Sequence, residues 1–338
     1  INMAKRTRLK VDESEETIYT APKTKLEFVS TGCTILDCTL GGGFALGRIA
    51  NVVGDKSTSK TSLATETVVN FFRQYPDGHA FYRETEFAFD TSYAEALGMP
   101  LDRVEFGDPE KLVVTVEDFA RDLGAFVHKR LSDGKPGIYV LDSLDALSDE
   151  AEMERDIGEG SYGTKKAAKM SELLRIAASK LERSRTLLLI ISQVRENIGA
   201  MFGEKYRRSG GKALDFYASQ VIWLSHMKTL TKTIKKVVRP YGIVVKSKCK
   251  KNKVAPPMRE ATWEFHYMYG TEDVLASVSW LEEVDRLPEK FQKIDWVKVS
   301  DAEYNMLREE LANEVKTVWK EVESTFLPKR SKYGKSEE

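Results

Sequence analysis

The chain has little cysteine. Cys33, Cys38 and Cys249 are the only three among 338 residues, and no two stand in a CxxC spacing. That excludes a disulfide framework and argues against a zinc site. Neither sign of charge is in excess, with 52 Lys plus Arg against 52 Asp plus Glu. No global field therefore drives the chain onto nucleic acid, and any such binding must come from local patches. Long apolar runs are absent too: the longest strongly apolar one, Leu187–Ile191, is far too short to span a bilayer. The first residues are basic but no apolar stretch follows them, so no secretory leader is expected. No internal repeat is found. The rest is an ordinary globular mixture, 41% hydrophobic and 31% charged, which excludes wholesale disorder and fibrous architectures. The length suits one large α/β domain with appendages, or two small domains. A soluble protein of a reducing, cytoplasmic compartment with no membrane partner is the expectation.

Residues 1–27 read as an N-terminal arm. Lys5, Arg6, Arg8 and Lys10 precede Asp12, Glu13, Glu15 and Glu16, and only Thr17-Ile18-Tyr19-Thr20 suggests a strand. A frayed terminus and a partner-binding, oligomerising arm are both open. From residue 28 strands alternate with helices. Ile49–Val53, Ala80–Tyr82, Ile138–Leu141 and Thr186–Ser192 read as strands. Thr61–Phe72, Asp90–Leu97 and Lys165–Arg183 read as helices, the last with Met170, Leu173, Leu174, Ala177 and Leu181 at helical spacing. Apolar strands alternating with helices predict a mostly parallel, twisted sheet covered on both faces. Val221–Ser225, Gly242–Lys246 and Thr262–Tyr267 follow with turns between them, which predicts an antiparallel extension. Residues 271–338 form a small helical C-terminal region. In it Tyr304, Leu307, Leu311, Val315, Val318 and Val322 stripe one face of a helix over Asp301–Phe326, packed on its own domain or on a partner. Lys329, Arg330, Lys332 and Lys335 make a basic tail.

The sharpest local signal is Gly54-Asp55-Lys56-Ser57-Thr58-Ser59-Lys60-Thr61-Ser62, between a strand and a helix. It fits the phosphate-binding pattern G-x-x-x-x-G-K-[ST] except that Ser59 stands at the second glycine. A tight loop turns successive N–H groups toward phosphates, and the helix N-terminus adds its positive end. Lys60 then reaches the β- and γ-phosphates and Thr61 offers a hydroxyl to Mg²⁺. If position 59 needs a positive φ, its Cβ costs about 1 kcal/mol. Gly137-Ile138-Tyr139-Val140-Leu141-Asp142-Ser143 is an apolar strand that ends in a carboxylate. Beside the loop, Asp142 can hold the Mg²⁺ shell through water.

With these motifs in place, the chain from about Ser30 to Gly270 resembles the RecA family of strand-exchange recombinases. The most specific blocks are Gln193-Val194-Arg195-Glu196-Asn197-Ile198-Gly199-Ala200-Met201-Phe202-Gly203 and Gly210-Gly211-Lys212-Ala213-Leu214-Asp215-Phe216-Tyr217-Ala218-Ser219. Ser30-Thr31-Gly32-Cys33, Gly47-Arg48-Ile49 and Lys251-Asn252-Lys253-Val254-Ala255-Pro256-Pro257 support them. The loop without its second glycine, with Arg73-Gln74-Tyr75-Pro76-Asp77 and Glu86-Phe87 after it, is more similar to the phage-encoded, UvsX-like branch. The resemblance implies a RecA-like P-loop ATPase core over residues 28–270, in a bacterial or an infected host's cytoplasm.

It also implies site roles. Glu86 matches the glutamate that orients the water attacking the γ-phosphate, although Glu84, two residues earlier, would point the same way on a strand. Asp90 and Tyr93 match positions that hold and stack on adenine. Gln193 matches the residue that senses the γ-phosphate. Lys251 and Lys253 match the pair that reaches the neighbouring protomer's nucleotide, and Phe216 falls at the protomer interface.

Two loops should face DNA. The first, at about 156–163, carries Tyr162. The second, at about 195–211, carries Arg195, Ile198, Gly199, Met201, Phe202, Lys205, Arg207, Arg208, Gly210 and Gly211, with Lys212 just after. Glycines let backbone N–H groups approach phosphates, cations neutralise them, and apolar wedges enter a stretched strand. No base-edge code is evident, so binding should be largely sequence-independent. A solvated loop is the plainer alternative. Lys228–Lys253 holds ten Lys or Arg and no acidic residue, which suits either a secondary DNA surface or simple solvation.

The expected function is an ATP- and Mg²⁺-dependent recombinase that forms a helical homo-oligomeric filament on single-stranded DNA and pairs it with a duplex. Single-strand-binding and loader proteins are the further partners this implies. A RecA-fold helicase or ring motor and a non-hydrolysing DNA-coating mediator are the alternatives. The family's N-terminal helix has no counterpart in the short arm, and residues 271–338 match the bacterial C-terminal domain poorly.

Overall fold

The computed structural model describes residues 26–153, 163–196, 206–208, 211–296, 298–328 and 330. The elements follow in chain order: β1 (Phe28–Val29), α1 (Thr34–Leu40), β2 (Phe44–Ala45), β3 (Ile49–Gly54), α2 (Lys60–Gln74), β4 (His79–Glu84) and α3 (Thr91–Ala96). Next come β5 (Val104–Glu105), α4 (Val116–Asp133), β6 (Gly137–Asp142), α5 (Glu150–Met153), α6 (Gly163–Arg183), β7 (Thr186–Glu196), β8 (Tyr206–Arg208) and α7 (Gly211–Tyr217). The chain closes with β9 (Gln220–Ile234), β10 (Val237–Asn252), β11 (Glu260–His266), β12 (Gly270–Glu272), α8 (Asp273–Glu283), α9 (Glu289–Gln292) and α10 (Asp301–Thr325).

One large sheet runs β12-β11-β10-β9-β3-β7-β6-β4-β5, and β8 joins the outer end of β7. From β9 to β5 neighbouring strands are parallel; β10, β11 and β12 are added antiparallel. The central strands read as continuous apolar runs because both faces are covered. Along β3, Ala50 and Val52 enter one core with α1, α2, α8 and α10, while Ile49 and Val53 enter the other with α4, α6 and α7. β6 divides the same way, with Ile138 and Val140 on one side and Tyr139 and Leu141 on the other.

The C-terminal helices share the first of these cores. Leu311, Val315 and Val318 of α10 are buried with Ile35 and Leu36 of α1. β12 spans residue 270, so the sheet runs on into the region that the sequence assigns to the C-terminal appendage. Two carboxylates, buried Asp273 and part-buried Glu66, tie this region down. Asp273 accepts bonds from the N–H and hydroxyl of Thr34 at 2.6 and 2.9 Å. Glu66 accepts from the N–H and hydroxyl of Thr271 at 3.0 and 2.7 Å.

The sheet's antiparallel part is longer than the sequence pattern suggested. β9 and β10 stay paired from Gln220 and Asn252 out to Ile234 and Val237, as a ribbon that projects beyond the core. Its outer half is exposed apart from Leu230, so no apolar alternation marks it in the sequence.

Candidate nucleotide site

In a parallel sheet, ligands bind where strands deliver their carboxyl ends and the strand order reverses. Here β3, β7, β6 and β4 lie side by side; β3, β6 and β4 end at Gly54, Asp142 and Glu84, and β7 passes Gln193 at the same level. Gly54 is aligned with Gln193, and Glu84 with Asp142. The separate sequence signals therefore converge on one edge of the sheet.

The loop after β3 turns through two residues of positive φ, Ser57 at 56° and Ser59 at 59°. Ser59 (ψ 29°) adopts the left-handed conformation that a glycine would enter freely, at a cost of about 1 kcal/mol. Its hydroxyl donates to the Thr58 carbonyl at 2.7 Å, and the Thr58 hydroxyl to the Asp55 carbonyl at 2.9 Å. These bonds hold the loop in place of the missing glycine. Gly54 is required for a different reason: a Cβ there would lie 2.5 Å from Thr58 Oγ1. Ser59 makes no side-chain cap to α2, so the first amides of that helix are left for another acceptor. Lys60 Nζ donates to the Asp55 carbonyl at 2.7 Å. Burial pushes its ammonium pKa down, against the pull of Asp142, Glu86, Asp55 and Asp145 around it. Lys56 is exposed, and its N–H donates to the Asp55 carboxylate at 2.7 Å.

Asp142, 5% exposed, accepts a hydrogen bond from the Tyr82 hydroxyl at 2.9 Å and another from the Thr61 hydroxyl. Burial raises its pKa to about 6, while these two donors favour the carboxylate. Glu86 and Glu84 separate cleanly. One oxygen of Glu86 accepts from the Ser143 hydroxyl at 2.6 Å and from Gln193 Nε2 at 2.8 Å. Glu84 instead folds back on its own loop and accepts the N–H groups of Glu86 and Ala88 at 2.8 and 3.1 Å. Glu86 thus faces the phosphate loop, and Glu84 braces the turn that presents it. Thr85 clamps the base of that turn, exchanging two bonds with the backbone of Ser143 at 2.7 and 3.0 Å. The N–H of Gln193 donates to Asp145 at 2.6 Å, so both its backbone and its side chain are held. Sequence reasoning missed Tyr82, Thr85, Ser143 and Asp145. Only Tyr82, a hydroxyl inside an apolar strand, carried a signal that a polar partner was needed.

Uncapped amides, a lysine at the helix start, and a hydroxyl–carboxylate pair fit a magnesium-bound nucleoside triphosphate. Lys60 and the loop amides would hold its phosphates, and Thr61 and Asp142 the Mg²⁺ shell. Asp90 caps α3 by accepting the Tyr93 N–H at 3.0 Å. The Tyr93 hydroxyl is bonded to Ser62 and to the backbone of Met268. This places Tyr93, one of the two residues expected at the adenine, beside Ser62 at the end of the phosphate loop.

Lys251 and Lys253 lie on and just after β10, two strands away from β3. Lys251 is paired with Val221, which sits opposite Asn51, and the N–H of Lys253 reaches Ser219 at the level of Ile49. Both therefore lie below the level of Gly54, where the phosphate loop begins. Their ammonium groups hold the last turn of α7: Lys251 the carbonyls of Asp215 and Phe216, Lys253 that of Phe216 at 3.2 Å. Phe216 itself is 68% exposed.

Tyr162, Ile198, Gly199, Met201, Phe202, Lys205 and Gly210 lie outside the described residues, as does the first 25-residue stretch with Thr17–Thr20. The backbone of the second loop's base is described. β7 and β8 pair antiparallel with Arg195 opposite Arg207 and Val194 opposite Arg208, so the two ends of residues 197–205 start from one ribbon. Gly211 and Lys212 form the first turn of α7. The basic stretch 228–253 divides. Lys246 and Lys248 pair with Glu260 at 2.6 and 3.2 Å, and Lys250 stacks on Trp223 at 3.6 Å. Lys232, Lys235, Lys236 and Arg239 sit on the exposed outer part of the β9–β10 ribbon.

Known proteins resemble the chain over most of its length. Residues 13–272 match the family model of the RecA N-terminal domain. The chain is 34% identical over 270 residues to protein RecA of Trichodesmium erythraeum, covering 80% of this chain and 71% of that relative. It is 35% identical over 250 residues to protein RecA of Synechocystis sp. (74% and 66%) and of Streptomyces avermitilis (74% and 62%). The chain thus spans between 62% and 71% of the length of these relatives.

Proposed function

The chain belongs to the RecA family, and from that premise we propose that it is a DNA-dependent ATPase acting as a recombinase. It forms a helical filament on single-stranded DNA and promotes pairing and strand exchange with a duplex, in recombination and repair. Bound ATP with Mg²⁺ supplies the phosphoanhydride whose hydrolysis to ADP and phosphate resets the filament. Glu86 orients the attacking water, Lys60 and the amides from Asp55 to Ser62 hold the phosphates, and Asp90 and Tyr93 hold the base. Lys251 and Lys253 complete the site from the next protomer, in the manner of arginine fingers. Their distance from their own phosphate loop supports that reading, and Phe216 beside them is the matching interface residue. Assembly then exchanges their bonds to α7 for contacts on the neighbour's nucleotide.

The observation that carries the proposal is the position of Gln193. Its side chain holds Glu86 and its backbone leads directly into the segment 195–211. A change at the γ-phosphate that moves Gln193 is passed to Arg195, Ile198, Gly199, Met201, Phe202, Lys205, Arg207, Arg208, Gly210, Gly211 and Lys212. Those residues, with Tyr162 of the first loop, contact DNA with little regard to sequence. The exposed cations of the β9–β10 ribbon are the candidate secondary DNA surface. Single-strand-binding and loader proteins are the expected partners, in a bacterial or phage-infected cytoplasm. Ser59 in place of the second glycine supports the phage-encoded branch.

Electron microscopy of the protein with single-stranded DNA and a slowly hydrolysed ATP analogue tests this. Helical filaments are expected, and closed rings would favour a helicase-like motor. Lys60→Ala should abolish ATP turnover, and Phe202→Ala should weaken single-strand binding while nucleotide binding persists. Ser59 favours one other reading, a DNA-coating mediator that does not hydrolyse ATP, and absence of DNA-stimulated turnover would select it.

A further inference from the structure

A cleft of about 640 Å³ lies away from the nucleotide site, between β11 and the C-terminal helices α8 and α10. Three tryptophans line it: Trp263 of β11, Trp280 of α8 and Trp319 of α10, the last two with ring centres 5.3 Å apart. One wall is a free strand edge. β11 pairs with β10 along its whole length but with β12 only from Glu264 to His266. The bonds from Cys249 N–H to the Arg259 carbonyl and from Tyr267 N–H to the Tyr241 carbonyl fix the phase of the ladder. Odd-numbered residues of β11 spend their backbone groups on β10, and even-numbered ones point theirs the other way. Glu264 and His266 meet β12. Glu260 and Thr262 are exposed, and among the described residues their N–H and C=O groups have no backbone partner.

We propose that this cleft docks an extended peptide segment of a protein partner, which adds a strand beside β11 and alternates basic with apolar side chains. Strand addition takes its affinity from main-chain bonds and its specificity from the pockets that alternate side chains enter. The two faces of β11 differ in what they offer. Ala261 and Trp263 point into the apolar side under Trp280 and Trp319. Glu260, Thr262 and Glu264 lie on the opposite face, paired in register with Lys248, Lys246 and Val244. An added strand would set every second side chain against the tryptophans and the others against carboxylates.

The charge of the cleft selects the sign. Four glutamates line it (Glu260, Glu264, Glu283 and Glu323) against two cations, Lys246 and Arg259. Lys246 and Lys248 both pair with Glu260, and Arg259 pairs with Glu323. Glu264 has only His266, at 2.8 Å, and Glu283 has no cationic partner among the described residues. Glu264 and Glu283, the two lining carboxylates that no Lys or Arg pairs among the described residues, repel DNA and attract lysine or arginine. Edge strands left open beside an apolar cleft invite pairing, which is why most are covered or blunted.

The test uses the full chain and three fluorescent peptides: Lys-Val-Lys-Leu-Lys-Val, its charge-reversed form Glu-Val-Glu-Leu-Glu-Val, and the block sequence Lys-Lys-Lys-Val-Leu-Val. Anisotropy should show the alternating basic peptide binding about tenfold or more tighter than the other two. Thr262→Pro deletes an N–H that has no backbone partner among the described residues, and proline is tolerated on such an edge. It should weaken binding by about tenfold with nucleotide binding unchanged. Glu283→Lys should shift preference toward the charge-reversed peptide, which keeps the test decisive if the proline variant folds poorly. Equal binding of the three peptides, no loss in Thr262→Pro, no shift in Glu283→Lys, or displacement of the peptide by an oligothymidylate would each overturn the proposal.

Discussion

Replacing Tyr82 by phenylalanine removes from the floor of the nucleotide site a hydroxyl that bonds Asp142 and Thr65, and leaves the ring in place. Tyr82 is fully buried, and its hydroxyl donates to Asp142 at 2.9 Å. The ring is held by Phe89 and Phe106 at centroid distances of 5.0 and 5.9 Å, contacts that phenylalanine keeps. A hydrogen bond to a charged group contributes about 1.5–3 kcal/mol, so Tyr82→Phe should cost about 2 kcal/mol of stability. The assay is urea unfolding of Tyr82→Phe, Asp142→Ala and the double variant. Their coupling energy should fall in the same range of about 1.5–3 kcal/mol. Asp142 also loses a donor that orients it beside Thr61, so a fluorescent ATP analogue should need about tenfold more Mg²⁺ for tight binding. Coupling below about 0.5 kcal/mol, with an unchanged Mg²⁺ titration, would refute the role given to this hydroxyl.

Glu86→Gln should lower ATP turnover by about a hundredfold or more with nucleotide affinity retained, whereas Glu84→Gln should cost less than about tenfold. A more damaging Glu84→Gln would reverse their roles. Ser59→Gly relieves about 1 kcal/mol of left-handed strain and loses a bond of similar worth. Nucleotide affinity measured by calorimetry should therefore stay within about fivefold, and a larger loss would mean the hydroxyl does more than brace the loop. Burial raises Glu66 from 4.5 to about 7. The folded state then keeps a proton that the unfolded state has released, so the associated stability is complete below pH 4.5 and falls as pH rises through 7. The loss reaches at most about 3 kcal/mol. Glu66→Gln keeps the polar contacts to Thr271 and should gain on the parent between pH 5 and 8 in urea titrations; a constant gap would contradict this.

Much of the sheet was legible because burial on both faces forces continuous apolar runs. Ile49–Val53, Ile138–Leu141 and Thr186–Ser192 all lie within strands, and Asp301–Phe326 overlaps α10 to within one residue. The expectation passed over α4, although its signals were present. Thr115 and Asp118 form a reciprocal capping box, and Phe119, Leu123, Phe126 and Val127 share one face. The length of β9 and β10 was hidden for a physical reason, since their outer halves are exposed apart from Leu230 and show no apolar alternation. At the site, the loop and Asp142 could be read from spacing. The choice between Glu84 and Glu86 could not, because two residues apart on a strand are equivalent until the turn after β4 separates them. Asp145 carried no signal at all, since its partner is a backbone N–H 48 residues away.

In the proposed function the nucleotide is shared between protomers, and mixing two crippled chains tests that most directly. Lys60→Ala disables the phosphate loop and keeps the two trans lysines, while Lys251→Ala/Lys253→Ala does the reverse. Each alone should lack DNA-stimulated ATP turnover. Mixed in equal amounts they should recover activity, because about a quarter of random seams then join an intact loop to intact lysines. Two inactive chains that stay inactive when mixed on single-stranded DNA, or a Lys251→Ala/Lys253→Ala chain with full turnover by itself, would contradict it.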